Sequence, residues 1–205
     1  MEKGETRLVS PDYEIHFKRY LKDFDLNIED LRDKAILDIG SGMVPDFVEY
    51  CLKNGITNKI YAVDHWSFGH DFIYNPKDNS VSDEDEWDLH PLAGADKLKS
   101  KKHYIQAEGQ NLPIKKDYKF DLILLRAALG HESDTSKLIN EVLSYLKPGG
   151  EFRIAPVREE GADTERLEEA LSNIEEKDFD IEWKSGIVKR QNTEDNAYLV
   201  VIKRR

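Results

Sequence analysis

The stretch "AILDIGSGMVPDF", residues 35–47, decides the fold: an apolar run closes on a glycine turn, and a helix-forming segment follows. Ala35 to Ile39 is too short for a buried helix and reads as a strand covered on both faces. Gly40 and Gly42 let the backbone turn tightly and approach a ligand closely. From about Pro45 to Asn54, residues Phe47, Val48, Cys51 and Leu52 recur on one helical face, and Gly55 stops the helix. A helix that starts directly after such a turn offers unpaired N–H groups to whatever lies in front of it.

The alternation continues in both directions. Ser10 and Pro11 are a cap and a first-turn proline, and Tyr13, Phe17, Tyr20, Leu21 and Phe24 then predict an N-terminal helix of about three turns. Downstream, "KIYAVD" is a second strand ending at Asp64, "HYIQA" a third, and "KFDLILLR" a fourth with apolar residues on both faces. Thr135 to Leu146 is an amphipathic helix stopped by "KPGG", and "EFRIA" is a fifth strand. The segment "DTERLEEALSNIEEK" gives another helix, and "FDIEWKSGIVKR" and "AYLVVIKRR" give two strands that can pair as a hairpin. The pattern predicts an α/β three-layer sandwich: a seven-stranded, mostly parallel sheet with an antiparallel edge strand and helices on both faces. We expect one domain over residues 1–205, with an N-terminal helical cap at about 10–30 and a long insertion after strand 2 at about 66–102. Part of that insertion, about Pro91 to Lys101, can form a crossover helix.

Composition narrows the function. With 30 Lys and Arg against 41 Asp and Glu, the net charge is −11, which argues against nucleic acid as a partner. No apolar run reaches the length of a membrane span, and "MEKGETRLVSPDY" lacks a signal-peptide core. Cys51 is the single cysteine, so no internal disulfide forms. A cytoplasmic protein with no membrane partner is expected, and the sequence carries no indication of oligomeric state.

In a sheet of this kind ligands bind beyond the carboxyl ends of the strands, where strand order reverses. A dinucleotide fingerprint G-x-G-x-x-G needs glycine where Pro45 stands, and the phosphate-cradling loop with Lys and Ser or Thr is missing, so a ligand without phosphates is favoured. Asp64, at the end of the second strand, is placed to accept both hydroxyls of a ribose. The plainer reading is an acid that caps the next helix.

The ordered segments "LDIGSG", "YAVD", "AEGQNLPI", "FDLILLRAALGH" and "LINEVLSYLKPGGEFRIA" together resemble the class I S-adenosylmethionine-dependent methyltransferases over about residues 31–156. The resemblance implies a Rossmann-like methyltransferase domain with S-adenosyl-L-methionine as cofactor. It would set the amino-acid part of that cofactor against Asp38, Gly40, Ser41 and Gly42, and the ribose against Asp64, with His65 and Trp66 beside the adenine. Glu108, with Gly109 and Gln110, stands at the family's place for the adenine amino group, and Arg126 and Ala127 would line the pocket floor. Val44 takes the place of a glycine in the family's commoner turn, and Glu108 that of the more usual Asp.

Methyl transfer from a sulfonium is an in-line displacement, so the protein needs mainly to position the acceptor and exclude water. A base is required only for a protonated acceptor. His131, at the end of "RAALGH", is the best catalytic candidate, or else a cap on the following helix; His65 is second. Trp66, Phe68, Phe72 and Tyr74 can form an apolar lid over an acceptor, or a small satellite cluster. His65, His70, His90 and Asp71 match no metal-ligand spacing, so no metal is expected. The acidic stretch "SDEDEWD" reads as a solvated tip or a site for a basic partner.

The leading expectation is methyl transfer to a small-molecule acceptor. The alternatives are a non-catalytic methyltransferase-like binding protein, in which Val44 and Pro45 close the cofactor turn, and a nicotinamide-dependent oxidoreductase, which Asp64 suits and Pro45 does not.

Overall fold

The computed structural model describes residues 13–42, 45–64, 101–126, 128–129, 134–159, 161–174, 177–190 and 193–205. Strands β1 (Ile36–Ile39), β2 (Ile60–Asp64), β3 (Tyr104–Gln106), β4 (Phe120–Arg126), β5 (Leu146–Arg158), β6 (Phe179–Arg190) and β7 (Thr193–Arg204) form a seven-stranded sheet in the order β3-β2-β1-β4-β5-β7-β6. Strands β1 to β5 run parallel. Strand β7 is antiparallel to both β5 and β6, so the reversed strand lies one place in from the edge that β6 forms.

Four helices among the described residues cover the sheet: α1 (Tyr13–Asp23), α2 (Asp46–Lys53), α3 (Thr135–Ser144) and α4 (Ala162–Ser172). The period-two geometry of the strands divides their apolar residues between the two faces. Ile36 of β1 and Leu122 and Leu124 of β4 pack with Phe17 of α1, Phe24 just after it, and Phe47 and Cys51 of α2. Leu37 and Ile39 of β1 and Ile123 and Leu125 of β4 turn the other way, toward Leu138 and Val142 of α3 and Leu167 of α4. This is the three-layer sandwich expected from the sequence.

Helix α3 ends at Ser144, two residues earlier than its periodicity suggests, because Leu146 pairs with Phe120 and opens β5. Strand β5 is correspondingly longer than "EFRIA", with Gly149 at φ 76 inside an irregular stretch where its pairing to β4 shifts. Helix α4 closes at Ser172, short of the predicted Lys177.

Helix α1 is fastened by stacking and by cations. Tyr20 and Phe47 stack with centroids 4.6 Å apart, and Phe17 stacks on Tyr50 at 4.1 Å. Such pairs contribute roughly 0.5–1.5 kcal/mol each beyond the area they bury. At the far end of α1, Arg153 of β5 donates to the Asp25 carbonyl at 2.9 Å, and Lys184 of β6 pairs with the Asp25 carboxylate at 3.0 Å. A cation against the last carbonyls of a helix also complements its dipole.

The neighbours of β1 are β2 on one side and β4 on the other, so strand order reverses between β1 and β4. The crevice at their carboxyl ends is therefore the switch point of the sheet, and the glycine turn opens into it.

Candidate functional site

The turn after β1 is fixed by its neighbours. The amides of Gly40 and Ser41 donate to the Val63 carbonyl at 2.9 and 3.4 Å, and the Gly42 amide donates to Asp64 Oδ2 at 2.8 Å. Both glycines are left-handed, with φ of 70 and 76. Their roles differ. A Cβ on Gly40 would lie 2.4 Å from Ala128 Cβ, so this glycine makes room for the chain after β4. A Cβ on Gly42 would meet nothing within 4 Å among the described residues, which leave open space beside the turn. Pro45 stands at the N-terminal boundary of α2 and is buried.

Two buried acids lie near the carboxyl ends of β1 and β2. Asp64 ends β2 and is 6% exposed. Asp38 of β1 is fully buried; its Oδ2 accepts a hydrogen bond from the Tyr20 hydroxyl at 3.3 Å, and its Oδ1 has no partner among the described residues. Burial pushes the Asp38 carboxyl up to about 8, with the Tyr20 hydrogen bond and the Arg126 charge pulling it down and the Asp64 charge adding to the rise. A buried acceptor left unpaired is the kind of group a polar ligand satisfies.

The remaining predicted residues fall into separate places. Ser41 Oγ lies 3.5 Å from the Gly42 carbonyl, within the turn itself. Glu108 is exposed just past β3, where it accepts from Gln110 Nε2 at 3.1 Å and from Asn111 Nδ2 at 3.2 Å; Gly109 beside it is buried. Arg126 ends β4 but turns toward α1, donating to Asp23 Oδ2 from Nε and Nη2 at 3.0 and 2.8 Å with its guanidinium 5.0 Å from the Tyr20 ring centre. His65, Ala127 and His131 lie outside the described residues, as do Val44, the aromatic residues expected to form a lid and all but the last residue of the crossover helix expected at about Pro91 to Lys101; Lys101 itself opens a short 3-10 turn, Lys101–His103. The structure thus brings Asp38, Gly40, Ser41, Gly42 and Asp64 together at one end of β1 and β2.

Tyr20, Asp23 and Ala128 frame the site without having been singled out from the sequence. The signal for the first two is their spacing with His16, at i, i+4 and i+7, beside the aromatic stripe of α1. Cys51 is buried, which pushes its thiol up and makes it a core residue. No cluster of His, Cys, Asp and Glu among the described residues could hold a metal ion, and no helix among them is long and apolar enough to cross a membrane.

These residues fit S-adenosyl-L-methionine on the chemistry of the donor set: open space at Gly42, an acid at the end of β2 for ribose hydroxyls, and an unpartnered buried acceptor at Asp38 Oδ1. Solved structures share the fold. The magnesium protoporphyrin IX methyltransferase of Synechocystis PCC 6803, solved with bound S-adenosylmethionine, matches with a TM-score of 0.56 and 12% identity over 100% of this chain and 87% of that one. The plantazolicin methyltransferase, solved with a desmethyl analogue and S-adenosylhomocysteine, matches at 0.55 and 15% identity over 95% and 88%. An rRNA methylase from Streptococcus thermophilus matches at 0.54 and 16% identity over 97% and 99%. No curated protein matches the sequence. A methyltransferase-domain family model matches residues 92–201, just over half of the chain, and the protein accordingly belongs to the S-adenosylmethionine-dependent methyltransferases.

Proposed function

We propose that the chain, as a single domain, transfers a methyl group to a small-molecule acceptor, with the cofactor held between the glycine turn and the end of β2. The observation that carries this reading is the hydrogen bond from Gly42 to Asp64 beside the open space at Gly42. Asp64 takes the ribose hydroxyls, its Oδ2 oriented by the turn. Gly42 gives the backbone room for a close approach, and Asp38 Oδ1 accepts from the amino-acid end. His65, Glu108, Gly109 and Gln110 are assigned to the adenine side, and Ala127 to the floor. Arg126 contributes by holding α1 through Asp23.

The bound cofactor supplies an electrophilic methyl group on a good leaving group. The protein's part is alignment and the exclusion of water, and for an acceptor that arrives protonated His131 is the proposed base. The net charge of −11 favours a small acceptor over RNA, because RNA binding needs clustered cations.

The test is methyl transfer from methyl-labelled S-adenosylmethionine into a cell extract separated into small-molecule, protein and RNA fractions. Label in the small-molecule fraction supports the reading. Label confined to RNA or protein overturns the acceptor assignment while leaving the methyl transfer intact.

A further inference from the structure

Helix α1 carries three polar side chains along one side, His16, Tyr20 and Asp23, and each engages a different element beneath it. His16 Nδ1 meets Asp46 Oδ2 at the start of α2 at 2.6 Å, the Tyr20 hydroxyl meets Asp38 in β1, and Asp23 meets Arg126 at the end of β4. Those three elements border the glycine turn.

The two oxygens of Asp38 are not equivalent. Oδ2 is engaged by Tyr20, whereas the buried Oδ1 has no partner among the described residues. Arg126 directs both Nε and Nη2 at Asp23, and its guanidinium lies against the Tyr20 ring. A buried carboxylate oxygen in this state is unfavourable until a donor or cation reaches it. The amino-acid end of the cofactor carries one group of that kind, an ammonium.

Resting on the cofactor reading above, we propose that Tyr20 is a positioning residue for the amino-acid end of the cofactor: its hydroxyl occupies Asp38 Oδ2 and leaves Oδ1 as the acceptor for the ammonium group. The aromatic stacking of Tyr20 on Phe47 fixes the ring, so the hydroxyl orients the carboxylate instead of following it.

The pH dependence of binding separates this role from mere packing. The groups facing Asp38 are Tyr20 on α1, Asp64 on β2 and Arg126 on β4, with Cys51 and Asp46 on α2 and Asp23 on α1 next to them. An ammonium requires the ionised carboxylate, and Asp38 sits at about 8, so affinity rises as the pH rises through that value. The Tyr20 hydrogen bond favours the carboxylate, so its removal moves the rise to higher pH.

The experiment titrates S-adenosylhomocysteine and 5′-methylthioadenosine, which lacks the amino-acid end, into wild-type and Tyr20→Phe protein across roughly pH 6.5 to 8.5. Tyr20→Phe is expected to weaken S-adenosylhomocysteine by roughly five- to tenfold near neutral pH, to shift its pH rise upward and to leave 5′-methylthioadenosine within about twofold. Equal losses for the two compounds, or an unmoved pH rise, overturn the inference and leave the cofactor reading standing. Wild-type protein that binds neither compound overturns both. If Tyr20→Phe fails to fold, Asp38→Asn serves: it should flatten the pH rise, and a rise that survives it overturns the inference.

Discussion

The Gly42 amide donates to Asp64 Oδ2 at 2.8 Å, which ties the turn after β1 to the last residue of β2. The bond adds to those from the Gly40 and Ser41 amides to the Val63 carbonyl in fixing the turn against β2 at the open end of the sheet. An acid already oriented by a backbone amide loses less freedom when a ligand reaches its other oxygen.

The two turn glycines should respond differently to alanine. Gly40→Ala puts a methyl 2.4 Å from Ala128 Cβ at a left-handed φ, which costs about 2–4 kcal/mol and lowers Tm by roughly 5–10 °C. Gly42→Ala meets nothing within 4 Å among the described residues and costs only about 1–2 kcal/mol of backbone strain, yet its methyl enters the cofactor's space and weakens S-adenosylhomocysteine at least about tenfold. Thermal melts and titrations of both variants check this; equal destabilisation by the two contradicts it.

Asp38 makes the ligand-free protein less stable as the pH rises. Its carboxyl stands at about 8 in the fold against an ordinary 3.8, so between those values the native chain holds a proton that the unfolded chain has released. Stability from this group is therefore greatest below about pH 4 and declines up to about pH 8. Asp38→Asn has no such proton, so the Tm difference between variant and wild type should move in the variant's favour from about pH 5 to about pH 8. A difference that stays constant over that range contradicts the burial argument.

Arg126 and Asp23 dock α1 onto the end of β4 through two hydrogen bonds in a partly buried setting. A double-mutant cycle with Arg126→Ala and Asp23→Ala should give a coupling energy of about 1–2 kcal/mol by denaturant unfolding. Strict additivity of the single changes would contradict a role for this ion pair in docking α1.

Much of the architecture was legible because apolar runs such as residues 36–39 and 120–126 are covered on both faces, and only buried parallel strands need that. The end of α3 was not, because Leu146 sits in phase with Val142 and Leu143; the pairing of Leu146 with Phe120 draws it into β5. At the candidate site, Asp64 stands out by its place at the end of a strand and Gly42 by its place in the glycine turn, whereas Asp38 is singled out only by the family resemblance. The role of Gly40 depends on contact with Ala128, and that of Tyr20 on Asp38, neither of which leaves a local pattern. The resemblance places Arg126 on the pocket floor, whereas Asp23, 103 residues away, draws it toward α1.

The most direct measurement is calorimetric titration of S-adenosylhomocysteine into the wild-type protein and Asp64→Ala, with NAD as a control ligand. Micromolar binding to the wild type, weakened roughly a hundredfold or more in Asp64→Ala with the fold intact and absent for NAD, is the predicted result. No binding to folded wild-type protein, or binding indifferent to Asp64→Ala, would contradict a cofactor site between the glycine turn and the end of β2.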